Sequence, residues 1–106
     1  MDSRIVRLDQ LTNDMSGVFD VHTEDGAVHR LDLDGRAAAS FINERAADLD
    51  VQRVQLLILA TCRVGARMVM LIDRGAPGVR FTRRTTAVVC YIRDARGIPL
   101  AEVERS

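Results

Sequence analysis

Two histidines, His22 and His29, and two cysteines, Cys62 and Cys90, are the side chains best suited to proton transfer, nucleophilic attack or zinc ligation. A structural zinc site would have to gather all four in one place, because the chain has no CxxC pair to seed one. Both cysteines lie in apolar, strand-like surroundings, which predicts reduced, buried and inert thiols. Neither histidine has a neighbouring nucleophile or carboxylate in a catalytic pattern, and no HExxH, P-loop, GxGxxG or GxSxG motif occurs. Glu24, Asp25, Asp32 and Asp34 are acidic enough to attract a hard cation, with Asp32 and Asp34 about 7 Å apart on one strand face. EF-hand spacing is absent, so these residues read as a solvated edge, with Asp34 capping the next element. The expectation is a protein without catalytic residues, metal or cofactor, and not an enzyme.

Arginine is the other chemically expressive residue. All 15 cationic side chains are Arg and none is Lys, balanced by 15 carboxylates. Residues 1–62 hold six Arg and eleven acidic residues, and residues 63–106 hold nine and four, so the halves carry −5 and +5. Arg80, Thr82 and Arg84 alternate, and Arg93 and Arg96 follow, which outlines a C-terminal arginine face able to contact phosphates. Nucleic-acid binding on that face is the alternative functional reading; against it stand net neutrality and few stacking aromatics.

The elements that would position these residues are mostly strands. Two alternating runs flank Glu24-Asp25-Gly26 and predict a β-hairpin. A three-residue loop with Gly26 left-handed pairs Val21 with His29 and Phe19 with Leu31 on one face. The other face then receives His22 with Val28 and Asp20 with Arg30, whereas a two-residue loop would mix apolar and charged partners. Ser3–Leu8 reads as a short strand and Thr12-Asn13-Asp14 as a turn. Ala38, Phe41, Ile42, Ala46 and Leu49 recur at helical spacing, which predicts a helix near 36–48; the competing reading is a strand over Ala37–Ile42 followed by a loop. Val54–Ala60 is almost continuously apolar, as in a strand covered on both sides. Val64-Gly65 marks a bend, and Met68–Ile72 resumes as a strand. Gly75–Gly78 leads into strands at Val79–Arg83 and Thr86–Arg93, Asp94–Gly97 turns, and Ile98–Val103 suits an edge strand.

Together these make about seven short strands and one helix in 106 residues, the pattern of a single-domain, mainly β fold: a small antiparallel barrel or sandwich. An apolar fraction of 47% argues against disorder, and no run approaches the length needed to cross a bilayer. With no long apolar stretch at the start, the expected location is the cytoplasm. Met68, Met70 and Ile72 share one face of their strand, and Val69 and Leu71 the other. A strand apolar on both faces is covered twice, by a second layer or by another subunit. The main functional expectation is therefore an interaction or assembly module, with a second copy or another protein meeting Met68–Ile72.

Four blocks also resemble small uncharacterised β-rich proteins of actinobacteria and their phages. They are Thr23-Glu24-Asp25-Gly26, Leu31-Asp32-Leu33-Asp34-Gly35-Arg36, Cys62-Arg63-Val64-Gly65-Ala66-Arg67-Met68, and Arg83-Arg84-Thr85-Thr86-Ala87-Val88-Val89. The resemblance covers about half the chain; Ala37–Val54 departs from it, where the family usually has a Gly/Pro-containing link. It implies a β-rich fold and a high-GC or phage origin, consistent with the arginine-only composition, and it carries no activity. A phage protein of this kind would act in the virion or the host cytoplasm.

Overall fold

The computed structural model describes residues 7–42 and 53–96. Its local structure begins at the hairpin of β2 (Val18–Thr23) and β3 (Ala27–Asp32). Asp25 Oδ1 accepts the Ala27 amide at 3.1 Å and the Thr23 hydroxyl at 2.5 Å, closing the loop over its own side chain. Gly26 takes φ +86°, where an L side chain is strained, and its N–H donates to the Thr23 carbonyl. The register is the predicted one, with Phe19 opposite Leu31, Asp20 opposite Arg30, Val21 opposite His29 and His22 opposite Val28.

In the next segment the competing strand reading holds over its stated bounds, and the helix does not. Ala37–Ile42 is strand β4, paired with β3 along its whole length, so the predicted helix does not form there; residues 43–48 lie outside the described part. Two local features turn the chain back. Asp32 Oδ1 accepts the Gly35 amide at 2.7 Å, and Arg36 adopts φ +53°, the only left-handed non-glycine among the described residues. Ala37, Ala38, Ala39 and Ser40 are all buried. Alanine's helix preference of a few tenths of a kcal/mol per residue yields to six residues of ladder and a site where both sheet faces are covered.

Strands β5 (Val54–Thr61), β6 (Arg67–Asp73) and β7 (Thr82–Asp94) complete the sheet. β5 was expected to be covered on both sides, yet Ile58 is 44% exposed. Register shifts between Leu56 and Ile58 and between Leu59 and Thr61 each add one residue. Leu56, Leu59 and Cys62 therefore enter the core at a spacing of three rather than two. The two predicted strands at Val79–Arg83 and Thr86–Arg93 are one long β7, and Val79–Phe81 belong to the loop before it. β7 pairs with β6 through its first half and with β2 through its second. The sheet thus closes as β7-β2-β3-β4-β5-β6, with the short β1 (Arg7–Leu8) added beside the end of β7. The rest of the predicted N-terminal strand and the edge strand at Ile98–Val103 lie outside the described residues, which contain no helix.

Closure makes a small antiparallel barrel whose interior holds Phe19, Val21, Leu31, Leu56, Met70 and Ile92 in one apolar cluster. Among the described residues its narrowest seam is β4–β5, with two paired positions, Ala37 with Gln55 and Ala38 with Val54. Arg36 braces that seam, donating to the Asn13 carbonyl (3.1 Å), Asn13 Oδ1 (2.6 Å) and the Leu57 carbonyl (3.1 Å). Asn13 Oδ1 also accepts the Leu59 amide at 2.8 Å, so the turn at residues 12–14 is tied into β5.

Candidate functional site

The polar groups of the barrel interior were the first candidates for chemistry. His29 and Ser40 face each other across β3 and β4, with Nδ1 2.6 Å from Oγ. Burial, with the nearby Arg84 and His22, pushes the His29 imidazole down to about 4 against an opposing pull from Asp25. A neutral imidazole on a serine hydroxyl is the start of a nucleophile–base pair. Here the serine is 2% exposed, so a substrate carbonyl has no path to its oxygen, and among the described residues His29 Nε2 has no hydrogen-bond partner to orient it. The pair organises the interior. His22, on the face of β2 opposite the core residue Val21, is half-buried and stacks on Tyr91 with ring centroids 4.1 Å apart. Asp20, paired with Arg30 on the same face as His22, is fully buried and forms a two-pronged ion pair with Arg30 at 2.8 and 2.9 Å.

The thiols divide. Cys62 is buried and its thiol is pushed up to about 12 by that burial, so it supplies no thiolate to the open cleft of about 360 Å³ bordered by Gln10–Asn13 and Leu59–Arg63. Cys90 was expected to be buried and is exposed. Thr23 pairs with Val89 and His22 with Tyr91, which leaves Cys90 as the extra residue of a bulge and turns it outward. The carboxylates are spent on turns: Asp34 Oδ1 accepts the Gly17 amide at 3.0 Å rather than capping a helix, and Asp32 holds Gly35 and Arg53. Among the described residues no three His, Cys, Asp or Glu side chains converge as metal ligands.

The predicted arginine face is dispersed. Arg80 is exposed in the loop before β7. Thr82 and Arg84 stand opposite Ile72 and Met70, on the inner side of the strand, and both are half-buried. Arg93 follows Arg84 by about 30 Å of strand, pairs across to Asp20, and has a buried Nε. Arg96 is exposed and bonded to Asp94 at 3.0 Å. Thr82 and Arg84 are brought together; Arg80, Arg93 and Arg96 are not.

The five residues of the predicted interface separate cleanly. Met68, Met70 and Ile72 are 0–1% exposed and fill the barrel, so they meet no partner. Val69 and Leu71 point outward and are half-exposed. Leu71 stands between Ile58 on β5 and Arg83 on β7, and Val69 between Thr61 and Thr85. The outer row of β6 therefore reads Arg67, Val69, Leu71, Asp73, a cation at one end, a carboxylate at the other, and apolar residues between. Ile58 was missed in the sequence because nothing in an unbroken apolar run marks where a bulge falls. No protein-family model, characterised protein or solved structure matches the chain.

Proposed function

We propose that the protein is a non-enzymatic assembly module that pairs with a second copy of itself through the outer face of β5 and β6. The observation that carries this reading is the outer row Arg67-Val69-Leu71-Asp73, about 20 Å long, with Ile58 exposed beside it. A two-fold axis through its centre sets Arg67 against Asp73 of the copy and Val69 against Leu71, which is the self-complementarity an isologous contact requires. Ser40 and Cys62 are sequestered, which is why we favour assembly over catalysis. The resemblance to actinobacterial and phage proteins and the arginine-only composition support a phage-type assembly or host-factor role in the cytoplasm or virion.

Light scattering on the eluting protein tests it, with an expected mass of twice the 11.8 kDa chain. Leu71→Asp, at a half-exposed position, should fold and elute as a monomer, because burying its charge costs several kcal/mol. Arg67→Asp and Asp73→Arg should each weaken the dimer, and the double exchange should restore it. A folded wild-type monomer at all concentrations refutes the proposal.

A further inference from the structure

The β6–β7 connection projects beyond the last strand pair, Ile72 with Thr82, and every residue from Arg74 to Phe81 is exposed. Phe81 is 53% exposed and Val79 49%, two of the four large apolar side chains most open to water among the described residues. The aromatic ring of Phe81 is thus open to solvent beside Val79, available for a stacking partner. The loop is shaped rather than slack. Asp73 Oδ1 accepts the Gly75 amide at 2.8 Å, the Val79 amide donates to the Ala76 carbonyl at 3.1 Å, and Gly75 and Gly78 both take φ +77°.

The charges nearest the ring in sequence are cationic, and the carboxylate at the start of the loop, Asp73, is bonded to the Gly75 amide. From Arg74 to Arg93 the chain carries five arginines and no carboxylate. Arg80 precedes Phe81 directly, and Arg83, exposed on the outer side of β7, follows two residues later, about 7 Å along an extended chain. Arg80 and Arg83 make no ion pair among the described residues. An exposed ring between forked cations matches a ligand with a flat π-face and an anionic group repeated at every unit.

We propose that this hairpin tip is a contact site for single-stranded nucleic acid, with one base stacked on Phe81 and the flanking phosphates met by Arg80 and Arg83. A single strand fits because its bases are open to stacking, whereas a duplex offers the ring no free base face. Two apolar side chains on a short loop bury too little area to anchor a membrane, and an acidic peptide would leave the ring without a partner of its own shape. Arg80 and Phe81 lie beyond the outer row of β6, whereas Arg83 borders Leu71, so the Phe81 variants test this contact apart from assembly.

Fluorescence anisotropy with a labelled 20-nucleotide oligothymidylate, across a salt series, tests the proposal. Wild type should bind, and log affinity should fall linearly with log salt. Phe81→Ala should weaken binding about 5- to 150-fold, and Phe81→Leu, which keeps apolar bulk but removes the ring, should weaken it as well. Arg80→Ala and Arg83→Ala should each flatten the salt slope by roughly 0.7. No salt-dependent binding to the single strand overturns the proposal, as does wild-type affinity in Phe81→Leu. Preference for a 20-base-pair duplex also overturns it. Binding instead to phosphatidylserine vesicles, lost in Phe81→Ala, would overturn it and assign the tip to a lipid surface.

Discussion

A buried imidazole next to a serine hydroxyl makes acid sensitivity a property of one residue. His29 is neutral in the fold at pH 7, with burial the largest cause of its lowered pKa of about 4, while in the unfolded chain it titrates near the ordinary 6.5. The unfolded state therefore takes up the proton first as pH falls. The stability His29 contributes is intact above about pH 6.5 and drains away as pH falls to about 4, on the order of 3 kcal/mol in all. Urea denaturation at several pH values should show that loss, and His29→Gln should flatten the curve between those limits; an unchanged slope would assign the sensitivity elsewhere. The thiols give a second residue-scale outcome. Under native conditions a thiol reagent should label Cys90 rapidly and Cys62 only on unfolding, since one is exposed and the other has a thiol held near 12. Two fast equivalents would contradict the barrel as described. Both side chains sit in similar apolar surroundings in the sequence, and bulges separate their fates, those of β5 turning Cys62 inward and the one in β7 turning Cys90 outward.

The β2–β3 hairpin is an element whose register was legible in the sequence. Alternation on both arms leaves one pairing that segregates apolar from polar residues, and Gly26 at φ +86° provides the turn that pairing needs. Gly26→Val should cost about 1–2 kcal/mol in urea denaturation, because a β-branched side chain is strained in the left-handed region. A neutral outcome would mean that the loop relaxes to another turn. Strand β4 was not legible in the same way. Alanines at 37–39 satisfy a helix pattern and a strand pattern alike, and the decision came from β3, against which all six residues pair.

At the scale of the whole molecule, the barrel depends on joining β4 to β5 across a seam that is two residue pairs wide among the described residues. Arg36 compensates with three hydrogen bonds, reaching the turn at Asn13 and the backbone of β5. Arg36→Ala should cost about 2 kcal/mol and speed amide exchange at Leu59, whose N–H rests on Asn13. Arg36→Gly should lose the same brace but recover part of the cost, since φ +53° suits glycine. Equal stability of wild type and Arg36→Ala would show that the seam closes without it.

Alternating strands, turn residues and one register were determined by the sequence alone, because each depends on neighbours within a few residues and on the two-residue period of a strand. A mainly β fold followed from them. Which face of each strand meets solvent was decided by tertiary structure. Asp20 lies on the polar face of the hairpin and is nevertheless buried against Arg30. Ile58 looked like core and lies outside, while the C-terminal arginines looked like one face and are divided between loop, inner side and outer side. Bulges, ring closure and the path of a single bent strand assign those faces, and each depends on pairings between residues far apart in the chain, which local periodicity does not encode.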